Sequence, residues 1–330
     1  MNHETDLQAP KPMSRGRIAL QVVGFCVGCA LIAWCASRAF HGGFDGIDKL
    51  RAADASLVAA LLLGTLGSII CGGLTFWSTV RPIRRFSMVE MQAVNLMASL
   101  FNYAPVRLGL FLRCLFHWRV ERMPAIDITA WLAAVAVVTL GTLACALIAG
   151  LVQIPLGRSE LALDGLWIAT YIACLILGSL LTIVIGRSSM LRRFFKGGER
   201  VLTNPRVLAE SLAFRTIDVS MWSLRMWAAA KIIGVQLGPA QAAMLAAVAI
   251  LGAGNPLGRL GWREALVVLV APFVITVNGD HSASAEQLES LTAQLALLES
   301  ASEAVINIPL GVLGALWCLR EVRRAKADVR

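Results

Sequence analysis

Two arginines six positions apart, Arg107 and Arg113, interrupt an apolar run, Phe101-Asn-Tyr-Ala-Pro-Val-Arg-Leu-Gly-Leu-Phe-Leu-Arg113, that breaks the rules of a spanning helix. Pro105 removes a backbone donor and clashes with the preceding turn, and Gly109 loosens the backbone again. Permanent charges are costly in hydrocarbon and persist where they are paired or line a polar cavity. The pattern nearly repeats downstream, where Asn255 and Pro256 are followed by Arg259, Gly261, Arg263 and Glu264. A third polar set, Ser211, Arg215, Asp218, Trp222 and Arg225, advances in steps of four, three, four and three, which places it on one face of a helix. Arg215 and Asp218, at i and i+3, can pair locally. Either that pair only neutralises itself while the helix packs, or the stripe lines the same polar interior as the two breaks.

The chemistry these residues offer is the holding of an anion. Arg107, Arg113, Arg259 and Arg263 can grip a phosphate or sugar acid through charge-assisted, often bidentate hydrogen bonds. Asn102 and Asn255 add amide contacts, Arg215 faces the same site, and Pro105, Gly109, Pro256 and Gly261 shape the tips. Asp218 and Glu264 balance charge or exchange protons. Catalysis is not indicated, since His3, His41, His117 and His281 are scattered and no Walker-type phosphate loop occurs. Cys26 and Cys29 have C-x-x-C spacing without a second pair, so no metal or other cofactor is expected, and the eight cysteines read as small residues within helices.

The elements that must position these residues are membrane spans. Of the 330 residues 57% are hydrophobic and 15% charged, and the mean hydropathy is +0.70. Such a composition belongs to an all-α, polytopic membrane protein. The net charge of +9 is accounted for by cytoplasmic loops rather than by nucleic acid. A polar tail, 1–17, precedes an uncleaved span over 18–40, a loop over 41–54 and a charge-free span over 55–80 closed by Arg81, Arg84 and Arg85. Further spans are expected over 128–154, 166–186, 207–230 and 304–319, with Glu210 near the start of the third of these. The loop over 187–206 carries +5, whereas 280–303 holds five acids and no Lys or Arg and reads as an extracytoplasmic loop, its 291–303 portion able to form an amphipathic helix. Charge parity then makes the broken segments, about 88–118 and 240–278, begin and end on one side each, and on opposite sides. Two re-entrant hairpins entering from opposite faces fit an inverted-repeat site near the midplane. An interfacial amphipathic helix after Pro105, with Arg113 and His117 on its polar face, is the other reading of the first segment.

The segment Leu100–Arg113 resembles the Asn-x-x-Pro-x-Arg-x-Gly-Glu-x-x-Arg signature of the flippase-like integral membrane family named after the membrane region of lysylphosphatidylglycerol synthases. Gly258–Glu264 resembles that family's Pro-Gly-Gly-x-Gly-x-x-Glu element, and the likeness extends over roughly residues 18–320. Where the signature has Glu, this chain has Leu110, which takes away an acid that could pair Arg113. The resemblance implies a single transmembrane domain over 18–320 without the soluble synthase domain, a cytoplasmic tail over 321–330, and a bacterial inner membrane with both termini cytoplasmic. The cytoplasmic placement of both termini also follows from the charge pattern, Arg81, Arg84 and Arg85 after the second span and Arg320, Arg323, Arg324, Lys326 and Arg330 after the last. The resemblance implies binding, and translocation between leaflets, of an anionic lipid or lipid-linked sugar. The alternative is a non-transporting accessory subunit of a lipid- or glycan-synthesis complex. A homo-oligomer or a biosynthetic partner fits either reading.

Overall fold

A computed structural model describes residues 15–40, 45–104, 108–153, 165–188, 199–255, 261–276 and 285–327. All regular structure among the described residues is helical: α1 (Arg15–Ala39), α2 (Asp45–Arg51), α3 (Ala55–Val80), α4 (Met88–Phe101), α5 (Leu108–Arg119), α6 (Ala125–Gln153), α7 (Gly165–Gly186), α8 (Glu199–Leu202), α9 (Pro205–Ile233), α10 (Pro239–Ala253), α11 (Trp262–Thr276) and α12 (Ala285–Ala327). Local chemistry sets several of these ends. The Asp54 carboxylate accepts from the Ser56 N–H at 3.1 Å and caps α3. Ser87 and Glu90 form a reciprocal capping box at α4, with bonds of 3.1 and 2.9 Å. Asn204 caps α9 ahead of Pro205, whose missing N–H costs nothing at the first helical position. Gly234, at φ 91°, closes α9 in the left-handed conformation.

Five of the helices, α1, α3, α6, α7 and α12, are long and apolar enough to cross a membrane by length and composition. The protein is therefore a helical membrane protein. Helix α7 turns Ile172, Ile176, Leu180 and Val184 outward, a face suited to hydrocarbon rather than water. Helix α9 has 29 residues, about 43 Å of helix and ample for a hydrocarbon core of about 30 Å, but its charged stripe separates it from the five by composition.

Small residues let the helices approach closely. A Cβ at Gly64 of α3 would lie 2.8 Å from Arg225 Cγ of α9, and one at Gly67 2.8 Å from Met221 Sδ. Gly314 of α12 likewise sits against α4, where a Cβ would lie 2.7 Å from the Ala93 carbonyl oxygen. The largest apolar core joins α9, α10, α11 and the first half of α12 through residues such as Ala229, Leu245, Ala271 and Leu295.

The two broken segments are pairs of short helices whose limbs pack on one another, α4 on α5 and α10 on α11. Arg113 and His117 are both buried, which removes the amphipathic surface-helix reading of the first pair. The acidic segment also departs from expectation. The helix expected over 291–303 is present, but it starts at Ala285, inside the expected loop, and is the first part of a single helix running to Ala327, with Ala293, Leu295 and Ala296 in the core. Burial of its apolar face outweighs the charge count that suggested a solvated loop. The expected loop over 41–54 contains α2, and the first helix begins at Arg15, inside the expected tail.

Candidate functional site

The stripe on α9 faces the interior, with Ser211, Asp218, Trp222 and Arg225 buried. Asp218 accepts a hydrogen bond from the Ser68 hydroxyl of α3 at 2.5 Å and forms an ion pair with Arg215. Two turns beyond, the Arg225 guanidinium lies 4.4 Å from the Trp222 ring centre. It pairs with Glu299 and, at 3.1 Å, with Glu303, both from α12. Glu210, at the other end of α9, bridges to Arg81 at 2.9 Å and Arg206 at 3.0 Å, tying the ends of α3 and α9 together.

The start of α11 meets the same α12 residues. Gly261 has φ 81°, and a side chain there would run into the Gly28 carbonyl of α1, so the position requires glycine twice over. Its N–H donates to Glu264 at 2.9 Å. Arg263 pairs with Glu299 at 3.1 Å, Glu264 at 3.4 Å and Glu303, and donates to Ser300. The Ser300 hydroxyl donates to Glu264, and the Asn307 amide donates to Glu303 at 2.7 Å. Arg225, Arg263, Glu264, Glu299 and Glu303 thus form one buried ionic cluster joining α9, α11 and α12. Breaking such a cluster is costly because it strands charge in a low-dielectric interior.

Arg113 is held differently. It is 5% exposed, its Nη2 donates to the Asn95 side-chain oxygen at 2.7 Å, and its guanidinium lies 3.6 Å from the Phe76 ring centre. Asn95 in turn donates to the Ile69 carbonyl of α3 at 3.2 Å. No carboxylate among the described residues pairs with Arg113, and its Nη1 has no hydrogen-bond partner. Gly109 lets α5 sit against the end of α4, since a Cβ there would run into the Ala98 carbonyl and the Asn102 side chain.

Arg113 lines a cavity of about 340 Å³. Asn102, Arg215, Asp218, Glu303 and Asn307 line it too, as do Ala253 and Gly254 from the edge of the second break. The fold therefore brings Asn102, Arg113, Arg215 and Asp218 to one chamber. Arg263 and Glu264 line a separate cavity of about 270 Å³ with Tyr103 and Ser300. Asn255 lies at the second break with its N–H on the Gly252 carbonyl at 3.2 Å and does not line the central chamber. Pro105, Arg107, Pro256 and Arg259 lie outside the described residues.

Glu299, Glu303, Ser300 and Asn307 were not among the candidates from sequence. A signal existed: 299, 303 and 307 are spaced four apart and continue directly into an apolar run. No family model matches the chain, and no curated protein matches it.

Proposed function

We propose that this protein binds an anionic amphipath, an anionic lipid or a lipid-linked sugar, with its headgroup in the central cavity, and moves it between leaflets. The observation that carries this reading is Arg113. It is a buried cation lining a polar chamber and, among the described residues, has an unpartnered guanidinium nitrogen and no carboxylate beside it. A buried charge without a counter-charge is expensive, and an incoming anion relieves that cost. Arg215 and Asn102 offer further donors around the same space. Arg263, by contrast, is engaged by three carboxylates and serves to hold α11 against α12. The reading takes α9 as a sixth span and the two helix pairs as re-entrant hairpins from opposite faces. It places both termini in the cytoplasm of a bacterium and treats the chain as flippase-like. Transport rather than accessory scaffolding is favoured because edges of both breaks line one chamber.

The test is native mass spectrometry of protein extracted with its own lipids, wild type against Arg113→Gln. A hydrogen bond to a charged group contributes about 1.5–3 kcal/mol, so retained anionic lipid should fall roughly ten- to hundredfold. An unchanged lipid complement in the variant would overturn the proposal.

A further inference from the structure

Helix α9 separates two spaces of opposite character. Arg215, Asp218 and Trp222 line the polar chamber, while Thr216, Ser220, Ser223 and Trp227 line a groove of about 410 Å³ bounded by α7 and α10. Arg215 and Thr216 are consecutive, so one step of the helix turns from one space to the other.

We infer that the groove is the tail subsite of the amphipath whose headgroup lies in the central cavity, and that it takes one hydrocarbon chain. This inference rests on the anion-binding reading of that cavity.

Three observations support it. First, the hydroxyls lining the groove are already engaged within the protein. Ser220 donates to the Thr216 carbonyl at 3.0 Å, and Ser223 to the Val219 carbonyl at 2.8 Å. The Thr216 and Tyr171 hydroxyls bond each other at 2.8 Å. Their remaining surface offers methylene and methyl groups, which suit an alkyl chain and not a headgroup. Second, the length fits. From Thr216 to Trp227 is eleven residues, about 16 Å of helix, against about 15 Å for one leaflet of a hydrocarbon core of about 30 Å. Third, the groove begins at the level of the candidate site along α9, because Thr216, which lines it, follows directly on Arg215, which lines the chamber. Trp167 stacks on Tyr171 with ring centres 5.3 Å apart, giving the groove a flat aromatic wall on α7 beside its Thr216 end.

The experiment uses full-length protein in phosphatidylcholine nanodiscs. The probe is phosphatidylglycerol carrying a photoreactive diazirine near the end of one acyl chain, and crosslinked peptides are mapped by mass spectrometry. The expected result is label on 216–227 and on 167–171, competed by unlabelled phosphatidylglycerol and reduced at least fivefold in both Ser220→Trp and Arg113→Gln. Label spread over the outward face of α7 and unaffected by Ser220→Trp would overturn the tail subsite; if retention stayed dependent on Arg113, the headgroup reading would survive. Label in the groove that is lost in Ser220→Trp but indifferent to Arg113→Gln would instead overturn the headgroup reading, and with it the claim that one ligand spans both spaces. Should Ser220→Trp fail to fold, Ser223→Trp fills the groove one turn on, and the wild-type map alone still decides where the chain lies.

Discussion

At the scale of single residues, the chamber is defined by which charges have partners. Arg225 and Arg263 are each enclosed by carboxylates, whereas among the described residues Arg113 is held by the Asn95 amide and the Phe76 ring. Leu110, one turn before Arg113 on α5, lines the same chamber. Leu110→Glu would place a carboxylate at i,i+3 from Arg113 and supply the missing counter-charge. Retained anionic lipid should then fall as far as in Arg113→Gln while the fold is kept. Undiminished lipid in Leu110→Glu would mean that the charge of Arg113 is not what recruits it. The ionic cluster predicts the opposite balance. Arg225→Met leaves Glu299 and Glu303 short of a cation in a buried place and should cost about 3–5 kcal/mol, read as a large fall in melting temperature in detergent. The triple change Arg225→Met, Glu299→Gln, Glu303→Gln should recover most of that loss. A triple variant no more stable than the single one would show that packing around the cluster, rather than its charge balance, sets its contribution.

At the scale of elements, α9 and α12 show what the sequence reveals and what it conceals. The stripe from Ser211 to Arg225 was legible because its period is that of a helix and its residues are polar against an apolar background. The breaks at Asn102 and Asn255 were legible because proline, glycine and arginine have local costs. The partners of Arg225 were not legible, since Glu299 is 74 residues away and nothing local marks such a pairing. The acids of 280–303 were instead counted together as an extracytoplasmic loop with a helix possible only over 291–303, an average that conceals the buried Glu299 and Glu303 behind the partly exposed Glu289, which bridges to Arg38 at 3.2 Å. The helical reading of this segment has a sharp consequence at Ala296, which is buried in the core. A proline in a helix interior costs about 3 kcal/mol or more, and glycine about 1 kcal/mol. Ala296→Pro should therefore abolish monodisperse, folded protein on size exclusion, while Ala296→Gly lowers the melting temperature only modestly. Equal tolerance of both would restore the loop.

At the scale of the whole molecule, the fold and the charge distribution must agree on a route through the bilayer. Arg81, Arg84 and Arg85 close α3, and basic residues dominate 187–206, so the proposed topology puts both regions on the cytoplasmic side. The proposed route is α1 outward, α3 inward, α4 and α5 entering and returning, α6 outward, α7 inward, α9 outward, α10 and α11 entering and returning, and α12 inward. Six crossings result only if α9 crosses, although its charges set it apart from the five apolar helices. The structure offers a reason why it can: Asp218 and Arg225 face inward against α3 and α12, so the crossing would not expose them to lipid. Single cysteines at exposed positions test this with a membrane-impermeant maleimide, since the native cysteines lie within helices. Asp48→Cys and Gln236→Cys should label in intact cells. Arg85→Cys, Arg122→Cys and Arg200→Cys should label only after lysis. Arg200 and Gln236 flank α9, so finding them on the same side would remove the sixth crossing and with it the opposed arrangement of the two helix pairs. The first pair has its own check at Ala104, at the described edge of the break. A re-entrant pair keeps Ala104→Cys from rapid labelling in intact cells. Rapid labelling from outside would turn α4 and α5 into two short crossings, and the chamber above Arg113 would then open outward without any need for leaflet-to-leaflet movement.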